Sequence, residues 1–368
     1  MRAALLAAAL PALAPVATAR ADDLVIDGRG WGHGVGLSQY GAYGYALREG
    51  RHHDFILAHY YPGTELGRAP ATRMRVRIKE AGALRVCGAT AARDAGGRRL
   101  RLSEARTYRF GAVGADRLAV SGHRATLRAP VAVTGGSSTC LRGDAETGVR
   151  NGAYRGRMVL ERDGAGVLAV NHLSLEHYLY GVVPAEMPSS WPAEALEAQA
   201  VVARSYALRS RRPAAAFDVY PATRSQVYRG VLGEAAVTTA AVRATRARVV
   251  LAGGQVAQTF FFSTSGGRTA ANEEEFGGAP ISYLRSVEDP YDDLSPYHTW
   301  QARLTEREAA RGLRGLTPGD FERLGVASRT ASGRAATVDV VGSGGTNTVP
   351  AATIRARLGL RSTWFSIR

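Results

Sequence analysis

Short runs in which polar and apolar residues alternate are the clearest pattern in this chain, and they predict β-strands. Between residues 72 and 180 these runs are broken by Gly, Asp and Ser, as in antiparallel strands with one solvated face. The strongest runs are Met74–Ile78, Arg99–Leu102, Arg117–Val120 and Arg157–Glu161, with a further one at Thr337–Val341. Within this segment, residues 85–150 are expected to form an inserted, β-rich subdomain.

Helical spacing occurs on both sides of the alternating segment. After residue 190, small apolar side chains recur on one helix face and predict close packing against a flat surface; they are Leu196, Ala200, Ala203 and Ala207. Shorter helices are predicted at Ala42–Leu57 and at Leu175–Gly181, the second closed by its glycine. The predicted fold class is therefore α+β.

The first 21 residues have the features of an export signal. Arg2 supplies a positive start, residues 3–13 form an apolar run, and Ala19-Arg20-Ala21 is a small-x-small cleavage site. The apolar run is too short to span a bilayer as an anchor, and no other stretch is long and apolar enough. We expect a mature protein that begins near Asp22, has no transmembrane anchor, and is secreted, either extracellular or associated with the cell wall.

The chain has two cysteines, Cys87 and Cys140. In an oxidising compartment they are expected to form a structural disulfide, which closes a loop of roughly fifty residues and contributes about 4 kcal/mol in loop-closure models. A zinc site is weakly supported because no histidine lies at ligand spacing from either cysteine. No Cys-His constellation supports Cys87 as a nucleophile.

The formal net charge is +15, and arginine carries almost all of the positive charge, since Lys79 is the one lysine. A strongly basic protein is attracted to polyanions such as nucleic acid, anionic lipid or an acidic cell wall. The chain has no Lys/Arg run and no basic stripe interleaved with aromatic residues, so nucleic acid is disfavoured as a partner. Part of the charge is compositional, because an Ala- and Arg-rich chain is typical of a GC-rich genome.

Glu186 is the candidate for acid–base chemistry. It stands in an apolar turn, Glu186-Met187-Pro188, just before the small-residue helix. A carboxyl group kept out of water has a raised pKa, so it can hold a proton near neutral pH and deliver it. The alternative is an ordinary carboxylate at a helix entry. Glu194 and Glu197, inside the start of the helix, are expected to be dipole partners or solvent-facing rather than catalytic.

Glycine occupies every second position from residue 28 to residue 36. Such a backbone can approach a neighbour or a ligand closely. His33, in the middle of this segment, is either a group that binds or polarises a sugar or a structural histidine in a tight turn. The spacing differs from the dinucleotide-binding pattern, and no βαβ unit surrounds it. No cofactor is expected.

Several longer motifs resemble the SpoIID/LytB family of bacterial cell-wall proteins. They are the Glu-Met-Pro turn at 186–188, the Gln-Ala-Val-x-Ala-Arg-Ser-Tyr-Ala helix at 199–207, and the segments 226–230, 262–269 and 283–290. The resemblance covers roughly residues 153–368 and 24–47. It implies a SpoIID-like catalytic domain made of residues 151–368 together with the glycine-rich motif and helix at 22–84, with the insertion at 85–150.

SpoIID members of this family are lytic transglycosylases that act on peptidoglycan, and LytB members are known as amidase enhancers. The resemblance implies that Glu186 is a single acid/base for the bond between MurNAc and GlcNAc, on intact strands or on strands free of stem peptides. It protonates the glycosidic oxygen and then accepts the proton of the muramyl 6-hydroxyl, which gives 1,6-anhydro products. The residues implied to bind substrate are His33, Gln39, Arg204, Tyr228, Ser263, Thr264, Ser265 and Asp289.

Some of these residues have a structural alternative. Arg204 would form a buried ion pair with an acid such as Asp289 or Glu288. The hydroxyls of Ser263–Ser265 would cap a turn instead of binding sugar hydroxyls. Aromatic residues such as Tyr228 would belong to the core.

Two departures from the family pattern lead to further expectations. The glycine-rich motif usually follows a segment like Leu358–Phe365, whereas here it precedes the other motifs. The chain therefore resembles a circular permutation, and residues 23–27 and 364–368 are expected to be neighbouring strands. Some relatives carry a metal-binding cysteine pair where this chain has Tyr220 and Ser225, so no structural zinc is expected.

Two functions of different class remain open. The first is an exported lytic transglycosylase. The second is a non-enzymatic protein that binds the wall and stimulates a separate N-acetylmuramoyl-L-alanine amidase. A third hypothesis, a binder of anionic polymers without catalysis, predicts binding that weakens steeply with salt.

Overall fold

The computed structural model describes residues 23–368, so the export signal predicted for Met1–Ala21 lies outside the described residues. Within residues 23–368, none of the helices has the length and apolar character needed to cross a bilayer. The helices are α1 (Gln39–Glu49), α2 (His53–Tyr60), α3 (Leu175–Glu186), α4 (Ala193–Arg209), α5 (Ala236–Ala244), α6 (Asn272–Phe276), α7 (Glu306–Gly312) and α8 (Ala351–Leu358). Short 3-10 helices occur at Gly230–Gly233 and Asp292–Leu294.

The strands of the described part form one large sheet and four small ones. In chain order they are β1 (Leu24–Arg29), β2 (Leu37–Ser38), β3 (Glu65–Arg68), β4 (Arg73–Ala81), β5 (Ala83–Arg93), β6 (Arg99–Arg101), β7 (Tyr108–Val113), β8 (Arg117–Val120), β9 (Thr126–Arg128), β10 (Val131–Leu141), β11 (Ala153–Tyr154), β12 (Arg157–Asp163), β13 (Gly166–Ser174), β14 (Arg248–Ala252), β15 (Gln255–Val256), β16 (Phe261–Phe262), β17 (Thr299–Leu304), β18 (Phe321–Arg329), β19 (Ala335–Gly342), β20 (Gly345–Pro350) and β21 (Phe365–Ile367).

The large sheet is antiparallel, with the strand order β4-β13-β12-β10-β5-β7-β8-β9; β6 pairs with β5 and β11 with β10. Alternation along β4 buries Met74, Val76 and Ile78. Helices α3 and α4 share this core through Val183 and Ala203. The α+β class is confirmed. Since the sheet begins at residue 73, residues 85–150 share it with strands on both sides, and the inserted subdomain stays a prediction.

Two of the predicted helices have different bounds in the structure. The predicted end of α3 at Gly181 is wrong, because the helix continues to Glu186. Gly181 serves packing rather than capping: a Cβ there would lie 2.8 Å from the Tyr228 ring. The helix predicted at Ala42–Leu57 is two helices, since Gly50 adopts a left-handed φ of 60° and ends α1. The apolar face of α4 is buried as predicted.

The two ends of the described chain lie side by side. Strand β1 is central in a three-stranded sheet between β17 and β21. It pairs antiparallel with β21, with Ile26 opposite Ile367 and Gly28 opposite Phe365. This confirms the prediction that residues 23–27 and 364–368 are neighbours, and it places the glycine-rich segment beside the C-terminal elements. The circular permutation itself stays a prediction.

The predicted disulfide is present. Cys87 on β5 and Cys140 on β10 are directly opposed across the two paired strands, and their sulfur atoms are bonded. The bond links residues 53 apart in the sequence, so it cross-links the large sheet.

Candidate functional site

Glu186 is held at the end of α3 by groups from two other parts of the chain. Its Oε1 atom accepts a hydrogen bond of 2.9 Å from the backbone N–H of Val227. Its backbone carbonyl accepts one of 3.1 Å from the side-chain amide of Gln39, in the first turn of α1. The end of α3, the first turn of α1 and the Gln226–Gly230 motif therefore meet at Glu186.

A cleft of about 630 Å³ opens over Glu186. Its walls come from the glycine-rich segment, α1, the end of α3, α4, the loop at 223–225, β16, α6 and α8. The lining residues are Trp31, Gly32, His33, Gln39, Glu186, Tyr206, Thr223, Arg224, Ser225, Phe260, Phe261, Phe262, Ser263, Phe276 and Arg355. Among these described residues, Glu186 is the one carboxylate.

The surroundings of Glu186 favour its protonated form. Burial raises the pKa of the carboxyl group, while the Val227 N–H and the positive charge of Arg229 oppose that rise. The side chain is only partly accessible, yet it still faces the cleft. Burial therefore disfavours the charged form of Glu186, and a ligand in the cleft can reach its carboxyl group.

His33 lines the same cleft, but hydrogen bonds occupy both of its ring nitrogens. Nε2 lies 3.0 Å from the Phe261 carbonyl, and the backbone N–H of Val35 donates to Nδ1 at 3.1 Å. These partners fix the neutral tautomer that carries its proton on Nε2. Burial lowers the pKa of His33 to about 4. The histidine thus links the glycine-rich segment to β16, and its own ring is uncharged near neutral pH.

Gln39 and Ser263 also reach the cleft. Gln39 is buried, and its amide contacts the Glu186 carbonyl, so it positions the end of α3. The backbone carbonyl of Ser263 accepts from the Tyr40 N–H, which joins β16 to α1. The structure therefore brings four predicted site residues together: His33, Gln39, Glu186 and Ser263.

Arg204 lies outside this cleft, fully buried beneath a separate cavity. Its guanidinium forms a bidentate ion pair with Glu176, at 3.0 and 2.9 Å. It also donates to the carbonyls of Arg248 and Val242. Arg204 therefore forms a buried ion pair, as its structural alternative stated. The expected partner, Asp289 or Glu288, is wrong, because the partner is Glu176. Substrate in the Glu186 cleft does not reach this side chain.

The remaining predicted binding residues are buried in polar networks rather than in the cleft lining. Tyr228 donates from its hydroxyl to Asn171 at 2.9 Å. Thr264 and Ser295 share a hydrogen bond of 2.7 Å, and Ser265 donates to Asp292 at 3.0 Å. Asp289 accepts from Tyr60 at 2.7 Å. All four are almost completely shielded from solvent. Tyr228 lies in the core beneath the large sheet, as the structural alternative stated, and the others hold buried loops together.

Asp289 leads to a prediction about pH. Burial, with the nearby Asp292 charge, raises its pKa from 3.8 to about 7. The folded protein therefore binds more protons than the unfolded chain between these values, and its free energy of unfolding falls as the pH rises from about 4 to about 7, by on the order of 4 kcal/mol. Asp289→Asn imitates the protonated acid and keeps an acceptor for Tyr60. Denaturant titrations from pH 4 to 8 should show the variant gaining stability relative to wild type as pH rises. A constant difference across this range would contradict the assignment.

Several cleft residues were not predicted as site residues. Trp31 and Tyr206 belong to motifs that the sequence shows, so their motif membership was an available signal. Phe260, Phe276 and Arg355 come from segments whose sequence carries no sign of a site, and only the fold brings them to Glu186.

These features define a mixed α+β protein with one sheltered carboxylate in a cleft of aromatic and polar groups. Residues 163–251 match the SpoIID family, described as stage II sporulation protein. An uncharacterised protein of Brachyspira hyodysenteriae is 32% identical over 51% of this chain and 52% of its own length. Stage II sporulation protein D of Bacillus subtilis is 30% identical over 54% of this chain and 61% of its own length. The amidase enhancer of the same organism is 31% identical over 36% of this chain and 21% of its own length.

The chain is similar to the SpoIID/LytB family over these residues. It spans between about half and three fifths of the length of the first two curated relatives that it matches.

Proposed function

We propose that this protein is an exported lytic transglycosylase that cleaves the peptidoglycan backbone between MurNAc and GlcNAc. The observation that carries the proposal is Glu186, a carboxyl group with a raised pKa in a cleft large enough for sugar residues. A cell-wall role is supported by the family and by the names of its relatives, a stage II sporulation protein D and an amidase enhancer.

The proposed reaction uses Glu186 twice. Its protonated carboxyl group donates a proton to the glycosidic oxygen as the bond from that oxygen to the muramyl anomeric carbon breaks. The muramyl 6-hydroxyl oxygen then bonds to the anomeric carbon, and the carboxylate takes up the hydroxyl proton. The products are a GlcNAc with a free hydroxyl and a 1,6-anhydro-muramyl end. Glu186 is protonated again, and no water is consumed.

The composition of the cleft supports cyclisation over hydrolysis. Glycosidases that use water rely on two carboxyl groups, about 5 to 9.5 Å apart, one of them acting as nucleophile or base. Glu186 is the one carboxylate among the described residues that line the cleft. In the proposed reaction the muramyl 6-hydroxyl of the substrate is the nucleophile, so no second carboxyl group is needed to attack or to activate water.

The remaining lining residues suit an acidic glycan. Trp31, Phe260 and Phe276 offer ring faces for the apolar faces of sugars, and Trp31 is 42% exposed. Arg224 and Arg355 add positive charge at the cleft wall. Muramyl residues without a stem peptide carry a free carboxylate, which these cations attract.

The second candidate is a non-enzymatic enhancer of a wall amidase, favoured by the relative named amidase enhancer. The two candidates separate in an assay that contains no amidase. Purified protein is incubated with glycan strands stripped of stem peptides, and the release of short fragments is followed by chromatography. Fragments support the transglycosylase. Intact strands, together with faster peptide release when an amidase is added to whole peptidoglycan, support the enhancer.

A further inference from the structure

A cluster of imidazole and carboxylate groups joins α2 to the first turn of α4, outside the Glu186 cleft. His53 is the first residue of α2, and Glu194 and Glu197 lie one turn apart on α4. One ligand atom from each of these three residues lies within 4.8 Å of the other two. The side chains are partly shielded from solvent: His53 is 12% exposed, Glu197 17% and Glu194 29%.

Two carboxylates compete for the single Nδ1 position of His53. Nδ1 of His53 lies 2.9 Å from Glu194 Oε2 and 2.9 Å from Glu197 Oε2. A single N–H can donate fully to one of these oxygens. Glu194 also accepts the His53 backbone N–H at 2.8 Å. Among the described residues, the ion-pair partner of Glu197 is His53. A neutral imidazole therefore leaves two carboxylates facing each other.

On the other side of the imidazole ring, Arg248 Nη1 donates to Nε2 of His53 at 2.9 Å, and the Asp54 carboxylate lies beside the same nitrogen. Nε2 of His53 lies 2.9 Å from Asp54 Oδ1, and Arg248 holds the Asp54 carboxylate at 3.1 Å. A metal-ligating histidine usually donates its second N–H to a carboxylate or carbonyl, which fixes the tautomer. With the proton on Nε2, Nδ1 is free to ligate. Metal binding at Nδ1 requires this tautomer, in which Arg248 gives up its hydrogen bond to Nε2 and keeps its ion pair with Asp54.

We propose that His53, Glu194 and Glu197 bind one zinc ion that ties α2 to α4. Mixed imidazole and carboxylate donors suit Zn²⁺ better than the oxygen-preferring Mg²⁺ and Ca²⁺. Tetrahedral zinc with bonds of about 2.1 Å separates its ligand atoms by roughly 3.4 Å, so the 2.9 Å contacts need only a small expansion. His52, whose Nδ1 is 3.2 Å from Glu194 Oε1, or a water supplies the fourth ligand.

The position of this site gives it a structural role. Helix α4 begins seven residues after Glu186, and α2 follows the glycine-rich segment and α1. A zinc ion at this position would link α2 to the N-terminus of α4, the helix that also lines the Glu186 cleft. The two ligand segments are about 140 residues apart in the chain, so ligand-spacing arguments on the sequence could not pair them.

Zinc content and affinity test the site independently of any wall activity. Tag-free protein is stripped with a chelator, dialysed against micromolar ZnCl₂ and assayed for bound metal, and its melting temperature is measured with and without Zn²⁺. Wild type is expected to bind one zinc per chain and to melt at a higher temperature with zinc. Asp54→Asn, which leaves the three ligands in place, is expected to bind zinc about 10- to 100-fold more weakly.

Two ligand variants and two matched controls decide the outcome. Glu197→Gln and His53→Gln are expected to lose the bound zinc and the thermal shift. Glu288→Gln and His123→Gln, which remove a carboxylate and an imidazole elsewhere, are expected to keep both. Should a ligand variant fold poorly, the visible spectrum of Co²⁺ bound to wild type, with and without competing zinc, reports whether nitrogen and oxygen ligands surround the metal. Failure of wild type to bind zinc at micromolar concentration, or unchanged binding in both ligand variants, overturns the proposal.

Discussion

Replacing Glu186 with glutamine is expected to lower glycan cleavage by at least about 100-fold while leaving the fold unchanged. General acid–base catalysis by a positioned carboxyl group contributes about 10²- to 10⁴-fold, and the amide can neither donate a proton to the glycosidic oxygen nor accept one from the 6-hydroxyl. Glutamine keeps the size of the side chain and an oxygen that accepts the Val227 N–H. Rates on stripped glycan strands, with circular dichroism as a check on folding, measure the effect.

A matched control is Glu288→Gln, which makes the same chemical change at an exposed glutamate that pairs with Arg268. Its cleavage rate should equal that of wild type. The pH dependence adds a second test, since cleavage by wild type should fall as the pH rises through the raised pKa of Glu186 and the donor loses its proton. A Glu186→Gln variant that cleaves glycan at a rate near that of wild type contradicts the enzymatic assignment. The assignment is also contradicted if neither wild type nor the variant cleaves glycan and both stimulate an amidase equally.

Removing the Arg204 guanidinium with Arg204→Met is expected to cost about 3 to 5 kcal/mol of unfolding free energy. The side chain is fully buried, and the substitution strips Glu176 of its bidentate partner and leaves the Val242 and Arg248 carbonyls without this donor. Guanidinium denaturation of both proteins measures the loss.

Two further variants identify the cause. Arg268→Met removes an exposed partner of Glu288 and should change stability by no more than about 1 kcal/mol. Arg204→Met combined with Glu176→Leu removes both charges, and it should recover part of the loss because no unpaired carboxylate remains. If Arg204→Met were as stable as wild type but bound glycan more weakly, Arg204 would be a substrate-binding residue, as the family resemblance implied.

The strand pattern was predictable because alternation is a local property of the sequence. The runs at Met74–Ile78 and Arg117–Val120 fall within or on β4 and β8. Helix ends were less predictable. Gly181 looks like a helix stop, but the helix continues through it, and the Tyr228 ring packed against it leaves no room for a Cβ atom. The pairing of β1 with β21 came from the order of motifs, not from the strands themselves.

The candidate site was predictable only where one motif holds both the residue and its setting. Glu186 was found this way, because apolar neighbours signal desolvation. Ser265 and Asp289 lie in equally specific motifs, yet these motifs form buried loops. The sequence alone does not distinguish a motif that shapes a loop from one that contacts a ligand. Arg355 shows the converse, since it reaches the cleft from α8 with no local signal.

The mass of the products formed from purified glycan strands tests the central assignment most directly. If the muramyl 6-hydroxyl attacks the anomeric carbon and Glu186 accepts its proton, mass spectrometry will show fragments that end in 1,6-anhydro-muramyl residues. Each such fragment is one water lighter than the corresponding hydrolysed fragment. Fragments with a free reducing end would show that water is the nucleophile, and they would contradict the single-carboxylate mechanism.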